Sequence, residues 1–375
     1  MLTTVQPFSL YGPGGGPRIL RSLLRGFGQP YTAVCTSPGR AGPVAPHEVH
    51  LPRRFFLGRI ESTRLHPLID LAEFTSTRAF RDRLLSLCRE RGTSTIHGLA
   101  HLPDFWSAFK VARTLGCRYC LSVHDDIAYS AQSRPLLRAS LPRLGEAWRQ
   151  ADARLVITAE LGEEYSRRYG RRGYSVVTDG LERIASEPRA QPDTGWRLYF
   201  MGAFHLTYGP NFTALEAALS QLTRTHPDIS LTCRCGAVPP DVWSPGSQVR
   251  FLPFGTDDDV EADLTQVDVL YLPLPLDRRH ELFTRFSLST KLVTYLGSGL
   301  PIVYHGPADA AAGRLLADHD AAAMVTSLDP AELADVVGGL DPVRRRELAE
   351  NALRLARLRF RLEDQQQAFR DAVGL

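Results

Sequence analysis

The chain has 375 residues, 43% of them hydrophobic and 23% charged, with a formal net charge of +3. That length exceeds one ordinary core and suits two α/β domains, and the composition is globular rather than disordered. No run reaches the ~18 apolar residues of a membrane span, and so small a charge argues against nucleic acid as the main partner. The start, Met1-Leu2-Thr3-Thr4-Val5, has no basic region followed by an apolar stretch, so a cytoplasmic location is expected.

Through the first half, short apolar runs alternate with amphipathic stretches, the signature of βαβ units around a parallel sheet. Strands are expected at Leu2–Val5, Tyr31–Cys35, Ser94–Ile96, Tyr119–Val123 and Arg154–Ile157. Helices are expected at Ile19–Arg25, Ala79–Glu90, Phe105–Leu115 and Leu136–Gln150. Gly14-Gly15-Gly16 follows the first strand and Pro17 opens the next helix. Glycines permit close backbone approach and proline suits the first helical turn. The N–H groups of Gly15 and Gly16 would therefore favour an anionic or polar ligand, although a plain turn uses the same residues. Pro38–Pro52 is rich in Pro and Gly and reads as a surface loop. His97 and His124 both read as strand ends, where open α/β sheets bind ligands. His124 with Asp125 or Asp126 could position an acceptor hydroxyl; the alternative is a histidine that merely finishes a strand.

A polar stretch, Glu187–Thr194, reads as a linker, and then the alternation restarts. Strands are expected at Arg197–Phe200, Ser230–Cys233, Val249–Leu252, Val267–Leu272, Ile302–Tyr304 and Ala323–Val325. Helices are expected at Asn211–Thr223, Asp259–Leu264, Thr290–Leu296 and Ala308–Leu316, with one long Arg/Leu-rich helix from about Pro342. Gly202 closes the first of these strands ahead of a helix opening at Tyr208-Gly209-Pro210-Asn211, a turn suited to phosphate or ribose. His205 in that loop could bond a phosphate oxygen.

Only Lys110 and Lys291 are lysines among 44 basic residues, so a lysine here stands against a strong arginine bias. Lys291 follows two capping candidates, Ser289 and Thr290, in a first helical turn where the dipole disfavours a cation unless an anion is present. The bland alternative is a solvated lysine tolerated at small cost. Six cysteines are scattered. Cys117-x-x-Cys120 has zinc or redox spacing but runs into an apolar strand with no second such pair. Cys233 and Cys235 share a strand, and structural thiols are expected throughout. Asp257-Asp258-Asp259 suits a helix start better than a metal site.

On these residues the chain resembles glycosyltransferases of the GT-B architecture, above all the retaining group 4 family. The Gly14–Gly16 loop is similar to that family's N-terminal glycine loop, and Val123-His124-Asp125 to its histidine-containing strand end. Asp152–Ser166 resembles the strand–helix element ahead of its asparagine–glycine turn, here Thr178-Asp179-Gly180. Lys291–Val303 resembles its lysine, tyrosine–leucine, small–Gly–x–Pro pattern. The resemblance implies two Rossmann-like domains with a cleft between them: an acceptor-side domain 1–180, a nucleotide-sugar domain 181–355, and a C-terminal helix 356–375 that packs back toward the first. It implies hexosyl transfer from a nucleoside-diphosphate sugar to an acceptor hydroxyl, with retention and without a metal cofactor. His124, Asp125 and Glu281 are the expected catalytic groups. Gly15, Gly16, Gly202, His205, Ser289, Thr290 and Lys291 are the expected donor contacts. The expected partners are the nucleotide-sugar donor and an acceptor, with peripheral membrane contact left open.

The active site departs from the family pattern. Phe286 and Thr294 stand where the family carries two glutamates separated by seven residues, and Glu281 is the nearest carboxylate upstream. Ala203 and Tyr208 stand where it carries an arginine and a lysine against the diphosphate. A non-catalytic nucleotide-sugar binder and a two-domain sugar-nucleotide epimerase are the alternatives.

Overall fold

A computed structural model describes residues 1–12, 14–37, 46–52, 66–101, 104–130, 134–190, 192, 196–204, 206–236, 243 and 248–374. They fall into two compact units, Met1–Gly180 with Leu362–Leu375, and Leu181–Arg361.

The first unit is built on seven parallel strands: β1 (Leu2–Gln6), β2 (Tyr31–Cys35), β3 (Glu48–His50), β4 (Thr95–Leu99), β5 (Arg118–Val123), β6 (Ala153–Val156) and β7 (Ser175–Val176). They lie in the order β3-β2-β1-β4-β5-β6-β7. Every residue of β1 and β4 is buried, as expected of parallel strands covered on both faces. Helices α1 (Gly15–Leu24), α2 (His66–Glu90), α3 (Asp104–Leu115), α4 (Ile127–Ser130), α5 (Arg134–Gln150) and α6 (Ala159–Tyr169) connect them.

Strand β3 corrects the expectation of a loop across Pro38–Pro52; residues 38–45 of that stretch lie outside the described residues. Three residues among prolines and glycines show no alternation to read. The strand is held instead by its neighbour, Ala33 N donating to His47 O at 2.8 Å and Leu51 N to Cys35 O at 2.9 Å.

The second unit has six parallel strands: β8 (Arg197–Met201), β9 (Ser230–Arg234), β10 (Val249–Leu252), β11 (Val269–Pro273), β12 (Ile302–His305) and β13 (Ala323–Val325), in the order β10-β9-β8-β11-β12-β13. Its helices are α7 (Gly209–Leu222), α8 (Asp257–Leu264), α9 (Glu281–Thr284), α10 (Thr290–Leu296), α11 (Ala311–Asp318), α12 (Pro330–Gly338) and α13 (Pro342–Arg359). Phe200, Phe212, Leu215, Leu231 and Tyr271 centre its core. Buried Asn211 ties that core to the sheet edge by donating to Leu274 O and His305 O, both at 3.0 Å. The three aspartates at 257–259 do open a helix: Thr256 and Asp259 form a reciprocal capping box at the start of α8.

Both sheets follow the Rossmann strand order, reversing direction between β1 and β4 and between β8 and β11. Ligands of such sheets sit beyond the carboxyl ends of the strands at that reversal.

The single helix expected from Pro342 is interrupted. At its end Phe360 O accepts from Leu181 N at 2.7 Å, and Arg361 bridges Leu181 in parallel fashion. Those extended pairings pull the backbone out of the helix. A separate helix, α14 (Leu362–Val373), completes the first unit. There Gln365 Oε1 accepts from Thr178 N at 2.9 Å, and Thr95 Oγ1 donates to Val373 O at 3.1 Å.

Candidate functional site

Lys291 is the most informative side chain of the second unit. It is the second residue of α10, it is only 8% exposed, and no carboxylate meets its ammonium among the described residues. Nζ lies 4.2 Å from the centre of the Phe200 ring and 4.9 Å from that of Tyr208. Those faces offset part of the cost of burial. They do not restore it, and burial lowers the lysine's pKa to about 7. The solvated-lysine alternative does not hold. The dipole of a seven-residue helix is small, so burial rather than the dipole is the main penalty on this charge. Lys110, by contrast, donates to Glu146 at 3.0 Å.

The sheet edge supplies the surroundings. Gly202 follows β8 with φ of +108°, a backbone conformation that favours glycine. Ser289 caps α10, its Oγ accepting from Lys291 N at 3.2 Å, with Thr290 as the first helical residue. Cys235, just past β9, is buried close enough to influence Lys291. His205 lies outside the described residues. Tyr208, where the family pattern places a lysine, contributes its ring beneath Lys291 instead.

The replaced glutamate positions are accounted for. Phe286 is buried, and Thr294 Oγ1 donates back to Thr290 O at 3.3 Å within α10. Glu281 is exposed at the first position of the four-residue α9, where a carboxylate suits a helix start. Among the described residues no hydrogen bond or ion pair joins it to Lys291.

In the first unit His124 lies immediately past β5. Its ring makes no hydrogen bond among the described residues. Burial, with the neighbouring His101 and His97, holds its pKa well below the usual histidine value, so it is neutral near pH 7. Asp125 Oδ2 stands 3.9 Å from His101 Nδ1. Asp126 has a structural role: it caps α4 through Ala128 N at 2.9 Å and pairs with Arg168 at 2.6 Å.

His97 is a correction. It sits in mid-strand because β4 runs on to Leu99, and its ring is buried in the core. It pairs with Ser122 Oγ at 2.6 Å and meets Phe369 edge-on at 5.3 Å. Gly15 and Gly16 open α1, with Gly14 at φ of +107° preceding them. Gly16 has a packing reason of its own, since a Cβ there would lie 2.7 Å from the Phe8 ring. The side chain anchoring α1 comes from the Thr178-Asp179-Gly180 turn, to which the family resemblance gave no such contact. Buried Asp179 takes Arg18 Nε at 2.8 Å and Ser22 Oγ at 3.3 Å.

No protein-family model matches the chain, and no curated protein matches it by sequence. Solved structures do. Sucrose-phosphate synthase from Thermosynechococcus elongatus matches with a TM-score of 0.71 at 15% identity, over 99% of this chain and 97% of that one. The Anabaena protein HepE, solved in complex with UDP, matches at 0.70 and 13%, over 100% and 99%. A putative UDP-N-acetylglucosamine 2-epimerase from Listeria monocytogenes matches at 0.58 and 10%, over 99% and 94%. The fold is that of the GT-B glycosyltransferases, with two Rossmann-like units. At such identities the likeness speaks for the fold alone. No helix among the described residues is long and apolar enough to cross a membrane.

Proposed function

We propose that this protein is a glycosyltransferase that moves a sugar from a nucleoside-diphosphate sugar to an acceptor hydroxyl, with the diphosphate held by the second unit at Lys291. The observation that carries the reading is a buried lysine that meets no carboxylate among the described residues, at the ligand edge of a Rossmann-like sheet. Such a charge is costly unless an anion meets it. A diphosphate supplies that anion and gains a charge-assisted contact.

The chemistry follows from the charges. Breaking the bond between anomeric carbon and phosphate oxygen leaves negative charge on the diphosphate. A fixed ammonium stabilises that charge as it grows. Gly202, without a side chain, lets the Lys291 stem pass close to its backbone, and Ser289 holds the start of α10 in place. His124, neutral at pH 7, is suited to accept a hydrogen bond from the attacking hydroxyl. Retention of configuration rests on the family resemblance, as does the assignment of Glu281.

One observation favours a second reading, a non-catalytic nucleotide-sugar binder: both family glutamate positions are filled by groups without a carboxylate. The epimerase reading shares the fold but gains no acid–base pair from the described residues.

Titration with UDP, followed by other nucleoside diphosphates, tests the proposal. Lys291→Met keeps most of the stem and removes the charge. It should weaken diphosphate binding about tenfold and leave the bare nucleoside unaffected. Equal loss for both ligands would reject the diphosphate assignment. Diphosphate binding without release from any sugar nucleotide, with an acceptor panel present, would favour the binder.

A further inference from the structure

Strand register brings four chemistry-bearing side chains together on the first unit. Gln6 of β1 is partnered with Cys35 of β2, and Cys35 with His50 of β3. Partnered residues of a parallel sheet send their side chains to the same face, as do residues two apart on one strand. Gln6, Cys35 and His50 therefore form a lateral row at the carboxyl ends of three adjacent strands, with Glu48 on the same face. The ligating atoms of Cys35, Glu48 and His50 all lie within 4.8 Å of one another. Ligands ~2.0–2.3 Å from a tetrahedral ion stand about 3.3–3.8 Å apart, so small side-chain adjustments close the set.

Glu48 is oriented for the task. One oxygen, Oε2, accepts from Leu10 N at 2.8 Å and Ser9 Oγ at 3.2 Å, while Oε1 faces His50 Nε2 at 2.8 Å. Outer contacts of this kind fix a carboxylate for metal binding. A plain Glu48–His50 ion pair explains two of these residues and leaves Gln6 without a reason. Cys35 is a buried thiol beside that pair. Gln6 is fully buried, and among the described residues neither its amide oxygen nor its amide nitrogen has a hydrogen-bond partner, a state that native interiors avoid.

We propose that Cys35, Glu48 and His50 bind a divalent transition metal of the zinc class, with Gln6 hydrogen-bonded to a water in the fourth position. One thiolate, one imidazole and one carboxylate suit zinc better than magnesium or calcium. As the sulfur–metal bond forms, the thiol proton leaves to solvent. The divalent charge is then balanced by thiolate and carboxylate, which makes burial of the set tolerable. The His50 side chain is 28% exposed and provides the way in. The metal is structural, and all three of its ligands, with Gln6, belong to the first unit.

The test uses the full chain, stripped with a chelator and titrated with Co(II) as a spectroscopic probe. One equivalent should bind with a thiolate-to-cobalt charge-transfer band that Zn(II) then removes, and Zn(II) should raise the melting temperature. Cys35→Ser should abolish the band, His50→Ala should weaken binding tenfold or more, and Cys117→Ser should change nothing. Should Cys35→Ser fail to fold by circular dichroism, the partly exposed His50 decides the matter. Absence of saturable Co(II) binding, or a band that survives His50→Ala at full affinity, overturns the proposal. UDP binding is measured in parallel and is expected to be unchanged by His50→Ala.

Discussion

Gly202 keeps clear the space that Lys291 fills: a Cβ on Gly202 would stand 3.2 Å from Lys291 Cε and 3.8 Å from Nζ. Gly202→Ala therefore meets two penalties, a side chain at φ of +108° and pressure on the lysine stem. The expected loss of stability is about 1–3 kcal/mol, read by urea unfolding. Diphosphate affinity should fall several-fold as the ammonium is displaced. An alanine variant with wild-type affinity would show that Lys291 has room to move and is not held in place by this contact.

The pH dependence of binding is the sharper test of the lysine. In the free folded protein Lys291 is protonated only below about pH 7, whereas in the unfolded chain it stays charged to about 10.4. Folding thus releases a proton between those values, and stability rises with pH across that window relative to Lys291→Met. Diphosphate binding reverses this by holding the charged form. Wild-type affinity should fall between pH 7 and 9, by up to about tenfold per unit, while that of Lys291→Met stays flat. Parallel profiles for the two proteins would remove Lys291 from the site.

The two histidines of the first sheet should separate cleanly. His124→Ala should cut turnover tenfold or more, at least about 1.4 kcal/mol in transition-state stabilisation, with little change in nucleotide affinity. His97→Ala removes a buried ring from between Ser122 and Phe369 and should cost about 2–4 kcal/mol of stability. Urea midpoints with steady-state rates distinguish them, and the reverse pattern would exchange their roles.

Asp179→Ala should destabilise the first unit. It removes the partner of Arg18, which is 27% exposed, so solvent absorbs part of the loss. Allowing for that screening, about 2 kcal/mol is expected. Asp179→Asn keeps an acceptor for Ser22 and should recover part of it. Equal midpoints for wild type and Asp179→Ala would mean that Arg18 repairs itself with water.

Much of the fold was legible because its signals are local. Apolar runs such as Tyr31–Cys35 and Val249–Leu252 carry their own boundaries. Strand β3 and the two-residue β7 were not legible, since each exists only through pairing with a neighbour. The same holds for the break at Phe360, made by Leu181 far away in sequence. At the site, Lys291 could be singled out from arginine bias and its place at a helix start. Its burial over Phe200 and Tyr208 could not, because those rings come from β8 and the turn before α7. His97 was misplaced because the strand's end was set two residues beyond it, by hydrogen bonds to β5 that no single-strand pattern shows. The row of Gln6, Cys35 and His50 depends wholly on register and had no signal in the chain order.

The division of the chain also fixes an order of assembly. Residues 362–373 supply the helix that seats Phe369 against His97, and the ribosome makes them only after the whole of Leu181–Arg361. The unit that begins the chain is therefore the last that can finish folding, while the inserted one has all its strands in hand earlier. Until then His97 and its neighbours lack their cover, and a nascent chain must hold an open apolar face throughout synthesis of the second unit.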